Sequence, residues 1–263
     1  MIDFNLSYIL KTAISTYFDT TTASIIMGMT YGIKSGLSYD LYKDIKVAGL
    51  SHLIVFSGSN IVIIYSIFFQ FLFFLRNKVK TLVASIIMLL FLAFLPQEPT
   101  IMRAAIMWGF TTVSFLIDRK TNRFFALLLS IIILTILNPS IITSISFQLS
   151  VFAILGILMF GANKNEENTS RFIRNVINDL KTTVSAQAFT IPLIYFYFNE
   201  FNPLSPITNL LVSATIRPIM YIGLISPILF AISIRKVQII SILGNTLVQT
   251  IIIVVNIFNK LHI

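Results

Sequence analysis

Cysteine is absent from the 263 residues, which excludes disulfides, thiolate nucleophiles and the commonest soft metal ligands. Only two histidines occur, His52 and His262, too few for a His-rich metal cluster within one chain. Charged residues make up 11% of the sequence, where an ordinary soluble domain carries about 25%. Water is therefore not the main solvent. No low-complexity segment and no usable internal repeat is present, and neither an HExxH motif nor a paired intramembrane carboxylate occurs. The opening stretch MIDFNLSYILK carries Asp3 and no basic n-region, and no cleavage site follows, so it does not read as a signal peptide.

What the chain does have is apolar surface. Hydrophobic residues make up 56%, and the mean hydropathy is +0.89. Runs of about 17 to 25 residues, long enough to span a bilayer, fall at 53–75, 79–95, 100–117, 123–138, 141–160, 183–199, 207–234 and 237–258. The fold expected is an all-α polytopic membrane protein with about eight transmembrane helices, at least one of them broken or re-entrant. Breakers mark several ends: Pro96 and Pro99, Asn138-Pro139, and Pro203 with Pro206. The run 207–234 contains Pro218 and Pro227, and reads as tilted, kinked or divided into two half-helices. Residues 161–182 form the longest polar stretch, read as a solvated connection or an amphipathic helix on the cytoplasmic face. Residues 1–50 read as an N-terminal interfacial or re-entrant region, 51–258 as the transmembrane domain and 259–263 as a tail. Within the first region, Gly28 and Gly32 have the spacing of small-xxx-small helix packing.

The net charge of +9 invites a nucleic-acid reading, but its distribution is topological. Alternate connections hold Arg76, Lys78 and Lys80; Arg119, Lys120 and Arg123; Lys164, Arg171, Arg174 and Lys181; and Arg235 with Lys236. The connections between them hold Glu98 and Glu200 and no cation. The basic set is expected on the cytoplasmic side, which with eight crossings leaves both termini outside a bacterial cytoplasmic membrane.

The polar residues inside the apolar runs are the candidate site. In AGLSHLIVFSGSNIVII (48–64), His52, Ser57, Gly58, Ser59 and Asn60 interrupt a run otherwise apolar enough for lipid. Consecutive helical residues turn by about 100°, so 57–60 reach nearly every face of a helix. The segment must be protein-surrounded, line a wet cavity, or unwind where other groups satisfy its backbone. Arg103 lies about one turn from Pro99, either snorkelling to the interface or facing inward, and Ala104, Ala105 and Gly109 offer its helix a flank for close approach. Arg217 lies deep in its run beside Pro218, where a cation should face an anion, a carboxylate or water. Gln148, Gln187 and Asn209 add hydrogen-bonding groups that act singly as interhelical glue or together as a polar interior.

These islands resemble the competence domain of ComEC-family DNA-uptake channels. The likeness rests on AGLSHLIVFSGSNI (48–61), similar to the family's GLSHLLAxSGLHI-type segment. In the same order follow Met102-Arg103-Ala104-Ala105-Ile106-Met107, then Asn138-Pro139 with Ser146-Phe147-Gln148-Leu149-Ser150, then Pro203-Leu204-Ser205-Pro206-Ile207-Thr208-Asn209-Leu210-Leu211. The resemblance implies a channel passing single-stranded DNA across the cytoplasmic membrane in natural transformation. It implies separate DNA-receptor, nuclease and cytoplasmic motor partners, leaves homo-oligomerisation open, and calls for no cofactor, metal or catalytic residue. Ser57, Gly58, Asn60, Arg103, Asn209 and Arg217 are the residues expected to contribute most to the strand's path. Three departures stand out: Asn60 occupies a position where many members carry His, the polar segment of an outward OB-fold domain is absent, and no His-x-His-x-Asp-His-type metal motif occurs.

Two other classes fit parts of the pattern. A secondary transporter for a small anionic or lipid-like solute would use the Ser-Gly-Ser-Asn break and Arg217, but would favour two equivalent half-sites, which the sequence does not show. An intramembrane serine hydrolase would pair His52 with Ser57 or Ser59, a contact that spacing does not establish.

Overall fold

The computed structural model describes residues 2–33, 36–50, 56–161, 171–198, 204–232 and 238–261. Every regular element among them is helical. In chain order these are α1 (Ile2–Ser15), α2 (Thr20–Tyr31), α3 (Tyr39–Val47), α4 (Gly58–Phe71), α5 (Asn77–Ala93), α6 (Pro99–Leu116) and α7 (Arg123–Leu137). A 3₁₀ turn (Pro139–Thr143) follows, then α8 (Ile145–Phe160), α9 (Arg171–Phe198), α10 (Ser205–Ala231) and α11 (Gln238–Leu261). Two of them, α10 and α11, are long and apolar enough to cross a membrane by length and composition; α4, α7 and α8 are shorter apolar helices.

Local chemistry sets several of the ends. Asn122 caps α7, its side-chain oxygen accepting the Phe125 N–H at 3.2 Å. Pro99 opens α6, where its missing N–H costs no helical bond. Asn138 ends α7 and its Oδ1 accepts from the Ser140 N–H at 3.2 Å and the Ser140 hydroxyl at 2.7 Å, while Pro139 cannot extend the helix.

The chain divides into two compact units, residues 1–96 with 212–263, and residues 97–211. In the first unit α2 is the centre: Thr22 to Thr30 are all buried, and Ile25, Ile26, Met27 and Met29 join Ile14, Phe18, Ile219, Ile222, Val248 and Val255 in one core. The segment 21–33 is thus an inner helix and not a surface one. Gly32 ends α2 in the left-handed region at φ +70°, its N–H turning back to the Gly28 and Met27 carbonyls, and a Cβ there would lie 3.2 Å from Phe56 and 3.3 Å from Pro96. In the second unit Leu134, Ile141 and Phe147 form a small core, with Met102, Ile106, Ile131 and Val151 against it.

Asp19 starts the central helix by accepting the Thr21 and Thr22 N–H groups at 3.2 and 3.3 Å. Burial pushes its carboxyl up, but hydrogen bonds from Thr22 and Thr21 outweigh that and hold it below the ordinary carboxylate value. A lowered value means that the cap stabilises fully above the unfolded carboxyl's range and loses its effect as pH falls through the folded value. Asp19→Ala is expected to cost about 1 kcal/mol in a thermal melt near neutral pH. Asp19→Asn, which keeps an acceptor, should retain most of that stability and flatten its acid dependence.

Two helices, α5 and α7, turn bulky apolar side chains outward and bury hydroxyls. On α5 the buried positions are Thr81, Ala84, Ser85 and Met88, while Leu82, Ile86, Leu89 and Leu90 are exposed. On α7 Ser130 is fully buried and Phe125, Leu128, Ile132 and Ile136 are exposed. A helix surrounded by water turns its apolar stripe to the core. Bulky apolar side chains outside and small or hydroxylated ones at the helix contacts suit lipid as the solvent.

One boundary differs from the sequence reading. The polar stretch from Arg171 and the apolar stretch after 183 are one helix, α9, with Pro192 inside it. No Gly or Pro lies between Arg171 and Ile191, so the drop in hydropathy is not a break in the backbone. The run at 207–234 is likewise not divided: α10 passes through Pro218 and Pro227 as one helix. Gly109 admits no close neighbour, because a methyl group there would find nothing within 4 Å among the described residues.

Candidate functional site

The candidate residues fall into two groups, one in each unit. His52 lies outside the described residues, so no contact with Ser57 or Ser59 is assigned. The Ser-Gly-Ser-Asn segment resolves its own difficulty by starting a helix: Ser57 is extended (φ −102°, ψ 164°) and Gly58 is the first residue of α4. The four polar positions thus cluster at one helix end instead of circling a continuous helix.

Their side chains form a short relay. The Ser57 hydroxyl donates to Asn60 Oδ1 at 3.0 Å, and the Ser57 and Ser59 hydroxyls are hydrogen-bonded to each other at 2.6 Å. Asn60, only 5% exposed, donates through Nδ2 to the Met29 carbonyl at 2.9 Å. That carbonyl is an orphan of the α2 end, because the Ile33 N–H that would meet it in a longer helix bonds Met27 instead. Asn60 therefore ties the start of α4 to the end of α2. Asn60→Ala is expected to lower thermal stability by about 1 kcal/mol, read as a drop in melting temperature of the purified protein.

Arg217, the other candidate in this unit, is exposed and lies directly before Pro218 in the unbroken α10. The two arginines singled out by sequence are thus in opposite environments.

In the second unit Arg103 is 2% exposed, the one buried charged side chain among the described residues. It does not snorkel outward. Its Nε donates to the Ser150 hydroxyl on α8 at 3.0 Å, and Nη1 lies 3.1 Å from the Met107 sulfur one turn on. No carboxylate meets it among the described residues, and its remaining N–H donors have no acceptor there. Thr100, three positions earlier and on the same helix face, has a buried hydroxyl with no partner.

The amides act as connectors. Gln148 donates to the Ile142 carbonyl at 2.9 Å and accepts from the Tyr197 hydroxyl at 2.9 Å, joining the 3₁₀ turn, α8 and α9. Gln187 on α9 donates to the Ser205 hydroxyl of α10 at 2.6 Å. Asn209 differs, since its Oδ1 is buried with no hydrogen-bond partner. Sequence reading passed over Thr100 and named Ser150 only within the island around Gln148; what marks Ser150 is its contact with Arg103.

The family model described as Competence protein matches residues 29–263, nearly the whole chain. The chain belongs to the Competence protein family. ComE operon protein 3 of Bacillus subtilis (strain 168) is 24% identical over 194 residues, which is 72% of this chain and 24% of that relative. The chain therefore spans about a quarter of that relative's length. No solved structure matches it. Family membership brings the residue islands at 48–61, 102–107, 138–150 and 203–211 under one heading. Arg103, Gln148, Ser150 and Asn209 belong to three of them and all lie in the second unit.

Proposed function

We propose that this chain is the membrane-crossing element for a single DNA strand in natural transformation, lying in a bacterial cytoplasmic membrane. The observation that carries the reading is the family match over residues 29–263. The outward apolar side chains of α5 and α7 support a lipid setting, and the buried Arg103, which no carboxylate meets among the described residues, supports a polyanionic cargo. On this reading the helices make eight crossings with both termini outside the cytoplasm. The chain acts as a conduit and not a catalyst, working with a separate DNA receptor, nuclease and cytoplasmic motor, alone or as a homo-oligomer.

A sparse polar route suits such a task. Tight phosphate binding would stall a moving strand, so a path of few cations among neutral hydrogen-bonding groups permits entry and release. The test is uptake of labelled DNA into a DNase-protected cytoplasmic pool, wild type against a clean deletion. Loss of internalisation with surface binding retained is the expected result. Unchanged internalisation in a strain without a second channel overturns it, and leaves a small-anion permease as the better account.

A further inference from the structure

We infer that Arg103, Ser150 and Thr100 form an oxyanion seat that takes one phosphodiester group at a time from the passing strand. The inference rests on the nucleic-acid reading above and assigns residues to it.

A guanidinium carries five N–H donors and a permanent charge. Burying that charge costs several kcal/mol unless a counter-charge and hydrogen-bond acceptors meet it. Arg103 is 2% exposed, yet Ser150 is a neutral partner and the Met107 thioether a weak acceptor. Among the described residues neither the charge nor the remaining donors are satisfied. Thr100 supplies the independent observation: its hydroxyl is buried without a partner on the same face of α6. Thr100 and Arg103 are neighbours three positions apart on one face of α6.

An oxyanion satisfies all of these groups together. It supplies the missing negative charge, accepts from the free guanidinium donors, and accepts from the Thr100 hydroxyl. Ser150 accepts a hydrogen bond from Arg103 Nε and keeps its own hydroxyl hydrogen to donate to the same anion. A planar fork suits phosphate oxygens. A single cation also keeps the hold weak, as a moving strand requires. The exposed Arg217 has no such surroundings and is not part of the seat.

The experiment is anisotropy titration of a short fluorescein-labelled oligothymidylate with the purified full chain in lipid nanodiscs, over a range of salt concentrations. Arg103→Gln should weaken binding at low salt and reduce the slope of log affinity against log salt by about 0.7, the share of one phosphate on a single strand. Thr100→Val and Ser150→Ala each remove a neutral partner. They should weaken binding about 2- to 10-fold and leave the slope unchanged, which keeps the seat testable where Arg103→Gln does not fold. A methylphosphonate oligomer, lacking the charge, should not distinguish wild type from Arg103→Gln. If wild type and a folded Arg103→Gln bind the phosphodiester strand with equal affinity and slope, the seat is wrong while the nucleic-acid reading stands. If wild type binds no oligonucleotide at any salt concentration, both fall.

Discussion

Gly156→Val is expected to be the most damaging single substitution in the second unit, with a loss on the order of 3 kcal/mol. Gly156 sits where α8 crosses α9, and a Cβ there would strike the Ser185 carbonyl oxygen, with the Ser185 carbonyl carbon and the Phe189 ring each 3.0 Å away. The obstacle is backbone, so no rotamer change relieves it and the two helices must separate. Separation also strains the link from Gln148 to Tyr197. Gly156→Ala is expected to cost about 1–3 kcal/mol by the same collision. Gly109→Ala is the control: nothing lies within 4 Å of the position, so the exchange should be neutral or stabilise by up to about 1 kcal/mol through helix propensity. Melting temperatures in one detergent decide it. Gly156→Ala melting with wild type, or Gly109→Ala falling below it, would remove the close α8–α9 contact from the account.

The second large effect concerns how α10 tolerates Pro227. A proline has no N–H, so the carbonyl four residues earlier, that of Gly223, loses its helical partner. The Tyr31 hydroxyl at the end of α2 donates to that carbonyl at 2.9 Å. Gly223 makes the approach possible, since a Cβ there would run into the Thr30 side chain. In a bilayer such a freed carbonyl must find a partner from a neighbouring helix. Tyr31→Phe should therefore cost about 1–2 kcal/mol. Pro227→Ala restores an N–H for the Gly223 carbonyl and makes the hydroxyl dispensable. In that background Tyr31→Phe should be nearly silent, giving a coupling energy of about 1 kcal/mol in the double-mutant cycle. Equal costs in both backgrounds would mean that Tyr31 does something other than replace the missing N–H.

The sequence alone determined the solvent class, the helical character and the family. Composition reports on solvent directly. Short-range signals reported the ends at Pro99 and at Asn138-Pro139, because capping and proline geometry act within a few residues. Hydropathy did not report helix ends: α9 runs from a polar stretch into an apolar one with no backbone breaker between them, and α10 runs through two prolines as one helix. Tertiary structure decided what each polar residue does. Asn60 and Met29, Arg103 and Ser150, Tyr31 and Gly223 are separated by 31, 47 and 192 positions, and which helix faces meet is settled by packing, not by spacing along the chain. Arg103, which read as near enough to a helix end to snorkel, is buried, and Arg217, which read as deep in its run, is exposed, because a helix has an inside and an outside only once its neighbours are in place.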